Sequence, residues 1–512
     1  MANKYLSKLF YLLKSNLWVI AAFLVPLSIR SIPETLSWPY LLGYDTLTVV
    51  HLIRSGQVLL SGPLVFIHNH LFYTFATLTS WAIGDPIVVL KIFGPVLMGL
   101  VSMLMWLYAK RGLGWSNIKS FLVALLVGAY FVSLRNSWDL YAQSFALVFL
   151  LATLVVLKSL KSNWRFPVAL AFMILTVMSH ELISVILFFI LGLEGLRFLL
   201  KKQPDFKYLL TCLTVAFGLF LFKRYSLTSG SIVLPVVTIA SEPSVGFSLH
   251  ILGFLLYCYG LLLPFVTLGM LRLKDWVLRF WFILCLSIPL LTMAFPTTYL
   301  YYWNRWAYLL VYPLIFFTVE GIAALWKFQS THKNQISRVL PKAFTIFYLV
   351  LLLTLSGFYL AVSPQNQISF FSTSNPYLAY IPSSMVQNTL PIQDNSALVK
   401  CVEWINENAA ADSVIVAHYA LYDLITIYDH DQLVISVRQS GSMWNYLQNE
   451  TSLVDGIVNA SRQALVDEHS AVYTIWWING DDAWYKISSL PPEFTPVYEF
   501  DKLAVYSYTP LI

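Results

Sequence analysis

The chain has 512 residues, 58% of them hydrophobic and 11% charged, with a formal net charge of +6. A soluble globular domain carries about 25% charged residues, so the composition excludes a wholly water-soluble protein. The basic residues are dispersed among the ends of apolar segments rather than gathered in a patch, which argues against nucleic acid as a partner. Residues 1–362 hold 27 Lys and Arg against 10 Asp and Glu, whereas 363–512 hold 5 against 16. That asymmetry predicts two regions in different surroundings: a membrane domain over 1–362 and a soluble domain over 363–512.

A spanning helix needs about 20 mainly apolar residues. Taken in chain order, spans are predicted near 15–32, 87–109, 118–134, 140–158, 166–180, 182–200, 208–222, 250–271, 276–295, 306–326 and 343–362, about eleven in all. Lys4, Lys8 and Lys14 precede the first of them, which lacks a small-residue cleavage site and reads as a membrane anchor. With the N-terminus in the cytoplasm, 20 of the 27 basic residues of this region fall in loops on the cytoplasmic side, the bias expected of such loops. Segment 64–83 is long enough to cross, but a crossing there would move every later basic loop outside. It is therefore expected to lie at the outer interface, within a long first outer loop of about 33–86. Eleven spans then put the C-terminal region outside the cytoplasm.

The remaining charges sort onto the outer side. Glu34, Asp45, His51, Arg54, His68 and His70 lie in the first outer loop, Arg135 and Asp139 in the second, and His180 and Glu181 in the third. Lys223 and Arg224 open the fourth, and Arg305 follows Tyr301, Tyr302 and Trp303 in the fifth. Ionisable groups near a membrane core usually face a polar cavity or one another. Carboxylates and arginines converging on one outer cleft would suit a phosphate-bearing lipid, because the guanidinium fork matches phosphate oxygens. Each residue also has a plainer reading. Lys223 and Arg224 would snorkel to the interface, the aromatics near 301–306 would form an interface belt, and Asp139 would sit at a helix N-terminus favoured by the dipole. His180 and Glu181 would form a structural polar contact, and Glu194 and Glu320 would pair with neighbouring basic groups. Asp45 follows Gly43 in a long loop where no structural demand for a carboxylate is evident.

In the acidic tail, a helix is predicted over 395–408 with Leu398, Cys401, Val402 and Ile405 on one face, then a buried strand over 413–417. Segments 421–428, 433–437, 453–468, 471–478 and 497–508 continue the alternation, which predicts an α/β layer fold with a partly parallel sheet. Cys212, Cys258 and Cys285 fall in apolar segments and Cys401 stands alone in the tail, so no disulfide framework is expected.

The order of these parts resembles the GT-C glycosyltransferases, membrane enzymes that use polyprenyl-phosphate-linked sugars; protein mannosyltransferases and the oligosaccharyltransferase catalytic subunit are among them. The local likeness lies in GYDTLTVVHLIRSG (43–56) followed by SGPLVFIHNHLFYTFATLTSWAIGDPIVVLKIFG (61–94), an acidic loop motif, a short helix, an amphipathic helix and a second span. The resemblance implies a polytopic α-helical fold with a C-terminal extracytoplasmic α/β domain, located in the cell membrane. It implies transfer of a sugar, of the hexosyltransferase type, to a glycan, lipid or protein acceptor with inversion. Asp45 would be the base, with Asp139 and His180 as further catalytic residues, Arg305, Arg135 and Arg54 on the donor phosphate, and His51, His68, His70 and Glu181 as secondary candidates. No cofactor is expected. The family's metal-using branch carries paired acids where Thr46 and Leu47 follow Asp45 here, so a divalent metal on Asp45, His51, His68 and His70 is the lesser alternative. Trp476-Trp477-Ile478-Asn479-Gly480 lacks the aspartate of the oligosaccharyltransferase element and ends a predicted strand, so peptide-sequon transfer is not implied. Two rival readings stand beside this one: a transporter or flippase of lipid-linked glycans, which would show internal repeats or broken helices, and a degenerate GT-C fold whose tail is a binding module.

Overall fold

The computed structural model describes residues 2–43, 45–54, 56, 71–227, 238–239, 245–295, 298–299, 303–328, 335–362, 392–429, 431–437, 451–480 and 488–510. The chain divides into two compact units, one of Met1–Ile32 with Gly56–Gly357, the other of Pro33–Ser55 with Phe358–Ile512. The fold is that of a polytopic helical membrane protein carrying a small α/β unit.

Helices coincide with all eleven predicted segments: α1 (Ala2–Leu36), α4 (Pro86–Leu107, continued by a π-turn to Gly112), α5 (Asn117–Ala129) with α6 (Phe131–Asn136), α7 (Tyr141–Ser159), α8 (Arg165–Ser179), α9 (Glu181–Leu200), α10 (Asp205–Leu227), α11 (Val245–Tyr259) with α12 (Leu263–Arg272), α13 (Trp276–Ala294), α14 (Trp303–Leu309) with α15 (Val311–Phe328), and α16 (Gln335–Val362). Among the described residues, seven are long and apolar enough to span and an eighth is a bent pair; α5, α8 and the described part of α16 are shorter. Outside this set, α2 covers Thr46–Arg54 and α3 Leu71–Ile83. At 13 residues α3 falls short of a span, and it packs Phe72 flat against Tyr141 of α7 at 5.7 Å.

Two predicted spans are interrupted. The one near 250–271 is α11 and α12, bent by 78°. Pro264, at the start of α12, lacks an amide N–H and disfavours helical backbone before it, so the helix restarts rather than runs through. The broken helix that the sequence did not reveal is therefore present. The one near 118–134 stops at Ala129, because Tyr130 turns extended (φ −75°, ψ 129°), and resumes as α6. α12 and α15 approach closely where Gly269 and Gly321 face each other's backbones. A Cβ on Gly269 would lie 1.8 Å from the Phe317 carbonyl oxygen, and one on Gly321 2.0 Å from that of Phe265. In lipid, such small-residue contacts let helices gain the dispersion energy that burial from water does not supply.

The second unit holds α17 (Ile392–Asn408), β3 (Val414–His418), α18 (Tyr419–Tyr428), β4 (Leu433–Val437), α19 (Thr451–Val466), β5 (Val472–Trp477), β6 (Phe494–Phe500) and β7 (Leu503–Tyr508); β1 (Thr238–Ile239) and β2 (Thr298–Tyr299) pair in the helical unit. Its sheet has the order β4-β3-β5-β7-β6, with β3 parallel to β4 and β5 and the last two strands antiparallel. The single predicted stretch 497–508 is a hairpin, turning at Asp501 with φ 54°. Leu398, Cys401, Val402 and Ile405 all point into the core, each fully buried, and each large apolar side chain contributes about 1.5–3 kcal/mol. Trp476 and Trp477 are also core. They pack edge-on at 5.8 Å, and Trp476 Nε1 donates to the Ser488 carbonyl at 3.1 Å. His418 lies against both rings, and burial lowers its pKa to about 3. All four cysteines are buried free thiols.

Candidate active site at one end of the helix bundle

The break at Tyr130 places the second outer loop inside the protein: residues 130–144 are buried without exception. Within it Arg135 and Asp139, one helical turn apart, form a two-pronged ion pair, Nη1 to Oδ1 at 2.5 Å and Nη2 to Oδ2 at 3.1 Å, with side chains 3% and 1% exposed. The Arg135 guanidinium lies 5.9 Å from the ring of Tyr308 on α14, and Asn136 Nδ2 donates to the Tyr308 carbonyl at 3.3 Å. Gln143 Nε2 donates to Asn136 Oδ1 at 3.3 Å, and Ser144 Oγ to the Asn136 carbonyl at 3.1 Å. Arg305 occupies the same short helix as Tyr308, one turn earlier, half-buried. Positions three apart on a helix are neighbours, so α14 brings Arg305 to the region that Arg135 and Asp139 occupy.

Sequence reasoning missed a cation here. Arg30 on α1 is fully buried, donating from Nε to Ser137 Oγ at 2.8 Å and from Nη2 to the Ser137 carbonyl at 3.2 Å, with its guanidinium 5.2 Å from the Trp138 ring. The signal was available: an arginine inside a predicted span is a functional candidate by default. Trp303 is likewise core rather than interface belt, fully buried and edge-on to Phe254 at 5.4 Å; Tyr301 and Tyr302 lie outside the described residues.

His180, with extended backbone (φ −160°, ψ 132°), separates α8 from α9 and is buried. Lys223 of α10 reaches the end of α8, its Nζ 3.2 Å from each of the Val177 and Met178 carbonyls, and Arg224 pairs with Glu181 at 2.6 Å. Neither therefore snorkels: Lys223 is 1% exposed and caps carbonyls that the end of α8 leaves open. The antiparallel run of α7, α8, α9 and α10 puts these residues at the same end of the bundle as Asp139. Among the described residues of the helical unit, that end carries six cations (Arg30, Lys91, Arg135, Lys223, Arg224 and Arg305) against three carboxylates (Asp85, Asp139 and Glu181). An environment of this sign favours an anionic ligand. At the opposite end the carboxylates are each paired: Lys158 with Asp275 at 3.0 Å, Arg165 with Asp205 at 2.7 Å, Glu194 with Arg197 at 2.5 Å, and Lys119 with Glu320.

The first-loop candidates belong to the other unit. The Asp45 carbonyl accepts from Val49 N at 3.2 Å, which makes Asp45 the N-cap of α2, where a carboxylate is favoured. A structural reason for an acid at this position therefore exists, contrary to the sequence reading. α2 packs on α18: Thr48 Oγ1 donates to Asp423, and Arg54 Nη1 donates to the Ile427 carbonyl at 2.6 Å. Arg54 thus satisfies a carbonyl in the last turn of α18. His51 is exposed, whereas His68 and His70 lie outside the described residues. Among the described residues, no three His, Cys, Asp or Glu side chains gather in a metal-ligating group.

No protein-family model matches the chain, and no curated protein matches it by sequence. Among solved structures, the mycobacterial arabinofuranosyltransferase AftD superposes on 97% of this chain with a TM-score of 0.50 at 10% identity, and the chain spans 40% of that protein's length. The oligosaccharyltransferase of Archaeoglobus fulgidus, solved in its apo form, matches 90% of this chain and 70% of its own length, with a TM-score of 0.46 and 11% identity. The chain shares the fold of that arabinofuranosyltransferase over its length.

Proposed function

We propose that the chain is a membrane glycosyltransferase that moves a sugar from a polyprenyl-phosphate-linked donor to a glycan, lipid or protein acceptor at the extracytoplasmic face, inverting the anomeric centre. The observation that carries this reading is the buried Arg135–Asp139 pair at one end of a GT-C-fold helix bundle, beside the short helix α14 that carries Arg305 and whose Tyr308 meets Arg135 and Asn136. In the proposed step a carboxylate, Asp45 first among the candidates, takes the proton of the acceptor hydroxyl. The oxygen attacks the anomeric carbon, the bond from that carbon to the phosphate oxygen breaks, and polyprenyl phosphate leaves with the electron pair. Preorganised cations stabilise the negative charge that grows on the departing phosphate, typically worth 10²–10³ in rate for one such contact. Arg305 is assigned that contact because α14 carries it to the end of the bundle where Arg135 and Asp139 lie, half-buried beside them in the chain's fifth outer loop. The N-terminus is assigned to the cytoplasm from the loop charges.

The test is donor turnover by the full chain in proteoliposomes, with hexose- and pentose-linked polyprenyl phosphates offered in parallel. Sugar transfer by the unmodified chain that disappears in Asp45→Asn, with the variant folded and still binding donor, supports the assignment. Undiminished transfer by that variant removes the base. The 78° break between α11 and α12 favours a second reading, a transporter of lipid-linked glycans, since such proteins use discontinuous helices. Donor crossing the bilayer with no transfer product would establish it instead.

A further inference from the structure

The end of the helix bundle opposite Arg135 and Asp139 holds a polar cavity. α7 runs between that cavity and the ion pair: its 19 residues extend about 28 Å at 1.5 Å per residue. The cavity has a volume of 220 Å³ and is lined by Lys158, Arg165, Glu194 and Arg197 together with leucines and phenylalanines, among them Phe166 and Phe198. Each of its cations has a carboxylate partner, Asp275, Asp205 and Glu194 respectively, so the charges that line it balance. Yet the pairings leave capacity over. The Glu194 side chain is 7% exposed, and its Oε2 atom, the Arg165 Nε and the Arg197 Nε are buried without a hydrogen-bond partner among the described residues. A buried polar atom left so costs about 1–3 kcal/mol, more when charged, so three of them around one cavity mark a place where something binds.

The chemistry of the vacancies describes the occupant. Two guanidinium N–H donors ask for an anion with several acceptor oxygens, and one carboxylate oxygen asks for a donor, while the balanced charges favour a ligand neutral overall. A phosphate ester bearing a primary ammonium meets all three conditions. The source is indicated by the rim. Trp164 and Trp276 stand 71% and 44% exposed at this end, as tryptophans do at a membrane–water interface. We propose that this cavity binds the head group of an aminophospholipid of the ethanolamine type from the adjacent leaflet, its phosphate on Arg165 and Arg197 and its ammonium on Glu194.

The test uses the full chain, delipidated in detergent, with thermal melting followed as defined lipids are titrated in. Phosphatidylethanolamine should bind about tenfold more tightly than phosphatidylcholine, whose quaternary ammonium cannot donate to Glu194, and than phosphatidylglycerol, which has no ammonium. Glu194→Gln should abolish the preference over phosphatidylcholine, and Arg165→Gln should weaken both lipids alike. Free phosphoethanolamine stabilising the chain as well as the lipid does would assign the cavity to a soluble ligand and overturn the lipid source. Equal binding of the three lipids to the unmodified chain would overturn the proposal outright, and needs no variant to fold.

Discussion

The ion pair of Arg135 and Asp139 gives the sharpest prediction, because its two plausible roles respond oppositely to one experiment. With side chains 3% and 1% exposed and two direct hydrogen bonds, the pair has little water to fall back on. Arg135→Met leaves the Asp139 carboxylate buried without the guanidinium that pairs with it, and removing one partner of such a pair costs about 3–5 kcal/mol. Asp139→Leu should cost a similar amount. The double variant Arg135→Met with Asp139→Leu removes both charges together, a change that is often neutral or even stabilising, so most of either loss should return. Melting of the purified full chain, monitored by a thiol-reactive dye on the buried cysteines, reads all four corners of the cycle. Coupling of at least about 2 kcal/mol is expected for residues in direct contact. If the single losses simply add, or if Arg135→Met melts like the parent, the pair does not hold this end of the bundle. With the coupling present, a folded double variant with an unchanged donor KM assigns Arg135 to architecture rather than to the donor phosphate.

The other predictions are briefer. Arg305→Gln should lower kcat/KM for sugar transfer by about 10²–10³, because the lost contact is to charge that grows in the transition state; an unchanged kcat/KM in the folded variant would refute that role. Gly269→Leu should fail to yield a monodisperse chain, whereas Gly218→Leu, at a helical glycine with nothing within 4 Å, should be tolerated; equal behaviour of the two would refute the close approach of α12 and α15. In the α/β unit, His418 is held neutral by burial, with its pKa near 3 against 6.5 unfolded. The unfolded chain therefore binds the extra proton first, and the contribution to stability, fully present above about pH 6.5, falls by about 1.4 kcal/mol per pH unit as pH drops towards 3. Hydrogen exchange across β3 should quicken from pH 6 to 4 beyond the intrinsic rate, and His418→Phe should remove that excess.

The helical fold was legible because the bilayer imposes a length and a polarity that few sequences meet by accident, and the eleven apolar segments each coincide with helix. In the tail, the face of Leu398, Cys401, Val402 and Ile405 could be read from its helical period, and β4 from its apolar run. Sequence by itself also sorted Arg135, Asp139, His180, Glu181 and Arg305 to one end of the bundle, since helices of known length fix which end a loop lies on. What pairs with what was decided only in three dimensions. Arg135 meets Asp139 because the chain breaks at Tyr130; Lys223 meets the end of α8 because α8 and α10 pack; and Arg30, unnoticed inside an apolar run, meets Ser137, 107 positions away. The first outer loop is the clearest case. Nothing in the local sequence of 33–55 says that α2 packs on α18 or that Arg54 closes its last turn, because hydrogen bonds across 373 positions depend on the path of the whole intervening chain. A pattern along the chain records which solvent a residue faces; its partner is set by packing.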